Sequence, residues 1–193
     1  IDGPKHQVSL NGKGLDASDG FVIKLSQWLD RVLPKNLKLG VDTINTVPTA
    51  AGLASSASGF AALTLSTNSL MGWNLPQHQL SALARLGSGS ASRSLWHGFV
   101  KWHAGQLPDG SDSVANPLDH QWPDLRVGLL TVSSHTKAVS SREGMARTIA
   151  TSKLYKQWPQ QAQNDLATIE AAIAMGDFET MAKTAEHNAM SMH

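Results

Sequence analysis

Between residues 48 and 58 the chain reads Pro-Thr-Ala-Ala-Gly-Leu-Ala-Ser-Ser-Ala-Ser, eleven residues with almost no bulk. This stretch limits the possible folds more than any other. An alternating segment, Leu37 to Val47, precedes it and predicts a strand. A strongly apolar segment, about Ser56 to Met71, follows and predicts a helix. Pro48 fixes its own φ and keeps Val47 extended, so the strand ends there. Gly52 permits a backbone turn that other residues resist. The small side chains after it leave the first amides of the helix open, and the helix dipole favours an anion at that end. Ser55 and Ser56 add hydroxyls suited to phosphate or to a magnesium ion bridging phosphates. The same run also suits tight helix–helix packing with no ligand. It is not a Walker loop, because no Gly-Lys-Ser/Thr closes it.

A second loop, Gly87-Ser88-Gly89-Ser90-Ala91-Ser92-Arg93-Ser94, offers another anion cradle. Arg93 can hold a carboxylate or phosphate through two parallel hydrogen bonds, which a lysine cannot copy. Alone it reads first as a flexible turn with a surface arginine. Two such loops, each beside a helix, point together to a site for two phosphorylated ligands. Ser140-Ser141-Arg142-Glu143-Gly144-Met145 is a weaker element, a helix cap with an arginine in reach of an anion.

The rest of the chain predicts a mixed architecture. His6 to Asn11 alternates and predicts a short strand closed by Asn11-Gly12. Ser18 or Asp19 caps a helix with Phe21, Val22, Leu25, Trp28, Leu29 and Val32 on one face, stopped by Pro34. Pro76 opens another helix, broken at Gly87. Leu95 to His103 predicts a strand, 104–123 an exposed loop, and 126–133 a buried strand. Helices are predicted over 141–151, 160–175 and 177–190. Strands and helices mix without strict alternation, so the class is α+β.

Composition excludes several functions. Of 193 residues, 41% are hydrophobic and 16% charged, and the formal net charge is +1. That is a globular composition, with no basic stripe for nucleic acid. No apolar run reaches the ~18 residues of a membrane span. There is no cysteine, which rules out disulfides, thiolate metal sites and a cysteine nucleophile. The six tryptophans read as core and surface anchors. The chain begins at Ile1 and stops inside a helical pattern, as an internal piece of a longer protein does.

The first loop resembles the signature of the GHMP kinase superfamily, Pro-x-x-x-Gly-Leu-x-Ser-Ser-Ala. The segment from Arg85 to Leu95 is similar to the Ser-Gly-Ser-Ala-Cys/Ser-Arg loop of the mevalonate diphosphate decarboxylases within it. Val132-Ser133, Val139 to Met145 and Thr151-Ser152 follow that family in order and spacing. The resemblance implies a two-layer GHMP fold, with 1–123 in the N-terminal ATP-binding domain and 124–193 opening a ferredoxin-like C-terminal domain. It implies ATP-dependent decarboxylation of mevalonate 5-diphosphate to isopentenyl diphosphate, with ATP and Mg2+ required, in a cytoplasmic homodimer.

Residue by residue, the resemblance puts Gly52, Leu53, Ala54, Ser55, Ser56 and Ala57 around the ATP phosphates, with Ser56 nearest the transferred group. Ser88, Gly89, Ser90, Ala91, Ser92 and Arg93 fall to mevalonate diphosphate, with Arg93 on its carboxylate. Ser141 and Arg142 fall to the diphosphate end, and Met145 to the pocket lining. Two positions depart from the pattern. Ser92 stands where eukaryotic members have cysteine, and His97 where many have glycine. The family's catalytic aspartate and its N-terminal lysine segment have no counterpart here. These 193 residues alone are therefore expected to be inactive or nearly so. Mevalonate and phosphomevalonate kinases and a monophosphate decarboxylase share the first loop and stand as alternatives. A ligand-free structural domain is the non-enzymatic one.

Overall fold

The computed structural model describes residues 3–47, 53–130, 139 and 141–192. It divides into two compact units, 1–118 and 119–193. No described helix is long and apolar enough to cross a membrane.

In the first unit, β1 (Gln7–Leu10) turns through Asn11 and Gly12 into β2 (Lys13–Gly14). Asn11 (φ 53) and Gly12 (φ 77) both lie in the left-handed region. That is the requirement of the tight hairpin turn which matches strand twist. β3 (Gly40–Thr43) pairs parallel to β1, with Gln7 opposite Gly40, so the sheet order is β2-β1-β3.

The crossover from β1 to β3 carries α1 (Gly20–Val32). Asp19, not Ser18, caps it, its carboxylate accepting from the Phe21 N–H at 2.8 Å. Val22, Leu25, Trp28 and Leu29 are buried, which is one helical face. Burying each such side chain is worth about 1.5–3 kcal/mol. Leu29 is fully enclosed. They form a core with Val8, Leu33, Phe60, Ala84 and Ala91. The Trp28 indole N–H donates to the Leu83 carbonyl at 2.8 Å.

At the other edge of α1, Asp30 accepts from both Lys38 and the buried His6. The Lys38 ammonium, with His6 behind it, holds the Asp30 carboxyl below its ordinary range.

β3 is shorter than the predicted 37–47 because Leu37 closes a turn on the Pro34 carbonyl. α2 (Ser55–Met71) and α3 (Gln77–Gly87) follow, then a 3-10 turn, Gly89–Arg93. The predicted strand 95–103 narrows to β4 (Val100–Trp102). Its partner β5 (Ala115–Pro117) lies inside the stretch predicted to be an exposed loop, and Ser113 and Ala115 are buried. Polar composition misled there. The Ser113 hydroxyl is satisfied by the His103 carbonyl, so it can be buried.

The second unit contains α4 (Ser141–Thr151), α5 (Trp158–Met175) and α6 (Phe178–Met192). Gly176 (φ 67) reverses the chain between the last two. A polar network ties their seam. The Trp158 indole N–H donates to Asn188, whose amide donates to Asp165, which also accepts from Gln161. These amides, Asn188 foremost, hold the buried Asp165 carboxyl below its ordinary range.

The described part of the predicted strand 126–133 is not a strand. Val127, Leu129 and Leu130 are exposed there. An apolar run becomes a strand only when a neighbour completes its ladder, and among the described residues none does.

Candidate functional site

The two glycine-serine loops meet. Gly52, with residues 48–51, lies outside the described residues. From Leu53 onward the first loop is resolved as the start of α2. Ala54 sits in the left-handed region (φ 50, ψ 35) immediately before the helix. A non-glycine residue there costs about 1–2 kcal/mol, and such strain gathers at functional sites. Ala54 supplies no side-chain cap, and no acidic residue stands in the first turn. Among the described residues no side chain caps this helix start, and the Ala57 N–H donates to the Ala54 carbonyl at 2.7 Å. Ser56 is exposed, Ser55 and Leu53 are half-buried, and Ala57 is buried.

The second loop begins where α3 ends. Gly87 packs flat against the ring of Phe60 on α2: a Cβ at this position would stand 1.9 Å from Phe60 Cδ1. This contact places Ser88 beside α2. The Ser88 and Ser56 hydroxyls lie 3.3 Å apart, and the Ser90 hydroxyl is 3.4 Å from that of Ser88. Three hydroxyls from two loops thus form one polar row. Arg93, at the end of the 3-10 turn, is exposed. Its guanidinium makes no hydrogen bond among the described residues.

Ala91 and Ser92 face the other way. Both are fully buried. The Ser92 hydroxyl donates to the Gly89 carbonyl at 2.7 Å.

Sequence reasoning missed what holds this loop. Ser81, fully buried on α3, donates to the Ser92 carbonyl at 3.0 Å and accepts from the Ala115 N–H at 2.9 Å. One hydroxyl thus joins α3, the loop and β5. The only hint was a small polar residue next to Leu80 on the inward face of a helix. Replacing Ser81 by Ala is expected to cost about 1–3 kcal/mol, because it strands a buried N–H. Urea unfolding checks this, and wild-type stability in Ser81→Ala would contradict it.

In the second unit, Ser141 and Arg142 open α4 and Met145 is half-buried on it. The side chains of Ser141 and Arg142 lie outside what the structure describes. Glu143 adds an acidic residue to the same first turn. Among the described residues, no group of three or more His, Asp or Glu side chains is placed to hold a metal.

Comparison with known proteins agrees with this layout. The diphosphomevalonate decarboxylase-like N-terminal domain matches residues 2–115. The mevalonate 5-diphosphate decarboxylase C-terminal domain matches residues 127–193. The diphosphomevalonate decarboxylase of Aspergillus fumigatus is 46% identical over 172 residues, covering 85% of this chain and 42% of its own length. The crystal structure of mevalonate diphosphate decarboxylase from Staphylococcus aureus superposes with a TM-score of 0.83 at 35% identity, covering 98% of this chain and 57% of that one. A solved MDDEF complex with MVAPP, AMPPCP and magnesium gives a TM-score of 0.79 at 32% identity, with coverages of 98% and 58%. The chain therefore spans less than half of the fungal relative. The match nonetheless runs in order through both compact units, and the chain belongs to the diphosphomevalonate decarboxylase family.

Proposed function

We propose that this chain forms the phosphate-binding and carboxylate-binding part of an enzyme that decarboxylates mevalonate 5-diphosphate, consuming ATP and releasing isopentenyl diphosphate, ADP, phosphate and carbon dioxide. The observation that carries this reading is the 3.3 Å approach of the Ser56 and Ser88 hydroxyls. It makes one site of two loops that separately suit two phosphorylated ligands. A relative of the same fold is solved with AMPPCP, MVAPP and magnesium together.

In this reading Gly52, Leu53, Ala54, Ser55, Ser56 and Ala57 hold the ATP phosphates. The start of α2 fits that load, since its first turn carries no acidic residue and its N-cap makes no side-chain hydrogen bond. Magnesium would arrive with the nucleotide, and the Ser55 or Ser56 hydroxyl could help to hold it. Bound ATP supplies the phosphoryl group that turns the substrate's tertiary hydroxyl into a leaving group.

Ser88, Gly89, Ser90 and Arg93 hold mevalonate diphosphate, with Arg93 paired to its carboxylate. Ala91 and Ser92 act from beneath, as the buried floor of that loop. Ser141 and Arg142 serve the diphosphate end, and Met145 lines the pocket. These residues bind and orient, which is the larger part of catalysis when charge moves between held phosphates. None of them is a general base, and the family's aspartate has no counterpart in these 193 residues. We assign 1–123 to the N-terminal ATP-binding domain and 124–193 to the C-terminal one. The cytoplasmic homodimer implied by the resemblance belongs to the same proposal.

Thermal unfolding of the full-length protein tests this. A ligand that binds the folded state raises the melting temperature by mass action, about 2.7 kcal/mol at a hundredfold excess over Kd. Nucleotide and mevalonate 5-diphosphate together are expected to stabilise more than either alone, and ATP-dependent release of carbon dioxide is expected with them. No shift and no release would remove the reading.

A further inference from the structure

Trp102 lies outside both loops, on β4, yet it touches the second loop at two points. Its six-membered ring packs against Gly89: a Cβ there would stand 2.9 Å from Trp102 Cη2. Its face lies under Arg93, with the guanidinium carbon 5.8 Å from the ring centroid. That is within the roughly 6 Å over which an indole attracts a cation.

The indole itself is held. Its Nε1–H donates to the Ser113 hydroxyl at 3.1 Å, which donates in turn to the His103 carbonyl at 3.0 Å. β4 and β5 fix this arrangement by register, since Trp102 pairs with Ala115. Ala115 is also the residue whose N–H donates to Ser81. One hairpin thus braces the loop from below through Ser81 and from the side through Trp102.

We propose that Trp102 is a positioning residue for Arg93: a fixed aromatic wall whose π face attracts the guanidinium and takes up none of its N–H donors, which stay available to an anionic ligand. The physical need is clear. An exposed arginine side chain carries about 2 kcal/mol of rotamer entropy, and a bidentate contact requires its plane to be set. A cation–π attraction draws the guanidinium towards the ring and consumes none of its N–H donors. Gly89 serves the same device, because any side chain there would displace the ring. This inference rests on the reading of Arg93 as an anion ligand, but its geometry can be tested without that reading.

The test uses the full-length protein and three readouts. In the wild type, the Arg93 Cδ protons are expected to be shifted upfield in NMR spectra by the indole ring current, and the shift is expected to vanish in Trp102→Leu. Trp102→Leu is expected to raise KM for mevalonate 5-diphosphate about tenfold, with a much smaller change in kcat. Trp102→Phe retains an aromatic face but loses the Ser113 bond and the ring that reaches Gly89, so its KM is expected to fall between those of wild type and Trp102→Leu. Unshifted Arg93 protons in the wild type overturn the proposal, and this holds even if Trp102→Leu fails to fold. A folded Trp102→Leu with wild-type KM overturns it, as does a Trp102→Phe no better than Trp102→Leu. Failure of the wild type to bind mevalonate 5-diphosphate would refute the substrate reading, while the ring-current measurement would still decide the brace.

Discussion

Replacing Gly87 by Ala is expected to unfold, or nearly unfold, the first compact unit. On backbone grounds alone the substitution should help. Gly87 closes a helix and its φ is not in the left-handed region, and Ala in a helix is favoured over Gly by roughly 0.5–1 kcal/mol. Packing reverses the sign. The added Cβ would lie 1.9, 2.3 and 2.4 Å from three atoms of the Phe60 ring. The ring has nowhere to go. It is 3% exposed and belongs to the main core. Trp28 leans on it with a centroid distance of 6.3 Å, and the Lys24 ammonium sits 5.2 Å from its centroid.

Overpacking a core usually costs about 1–3 kcal/mol and sometimes more. A methyl group inside a ring is an extreme case, so a loss at or beyond the upper end is expected. The same shift would carry Ser88 away from Ser56, so ligand binding should fall with stability. Denaturant unfolding of Gly87→Ala and of Gly87→Ala/Phe60→Leu checks the cause. The smaller leucine should recover part of the loss, a non-additive result expected of touching residues. Wild-type stability in the single variant, or no recovery in the double, would show that the contact does not carry this load.

The legible parts of the fold were those written in local pattern. Val22, Leu25 and Leu29 recur at helical spacing, and α1 buries those three. Asn11-Gly12 closes the first strand as read, and the structure adds a second strand, β2, beyond that turn. The short strands were hidden because their signal is not local. Ala115, Asn116 and Pro117 carry no strand propensity. They form β5 because Val100 to Trp102 offers a ladder from across an intervening loop. The opposite error came from residues 126–130, apolar enough for a strand but without a described partner.

The site divides in the same way. Ser56, Ser88 and Arg93 were visible because small residues, glycines and an arginine cluster in sequence. Ser81 and Trp102 were invisible as site residues because each acts through one contact with a distant segment, and neither residue type predicts that contact. Tryptophan reads as an anchor in either role.

If the proposed function holds, Arg93→Lys in the full-length protein is expected to reduce kcat/KM for mevalonate 5-diphosphate about a hundredfold while leaving the fold intact. Stability should hold because the side chain is exposed and makes no hydrogen bond among the described residues. Its cation–π contact with Trp102 contributes at most about 0.5–1 kcal/mol at an exposed position. Binding should not hold. A guanidinium meets a carboxylate with two parallel N–H donors, whereas an ammonium of lysine offers a point charge on a more flexible stem. Hydrogen bonds to charged groups are worth about 1.5–3 kcal/mol each, and a factor of ten corresponds to about 1.4 kcal/mol. Losing one such bond and the preset plane therefore gives about two powers of ten. Arg93→Ala removes the charge as well and should fall further. The affinity of the nucleotide alone, which rests on the first loop in this reading, should change little in both variants. Steady-state kinetics with each substrate varied in turn separates these effects. An Arg93→Lys enzyme with wild-type kcat/KM, or one that loses nucleotide affinity and mevalonate diphosphate affinity equally, would mean that Arg93 does not hold the carboxylate.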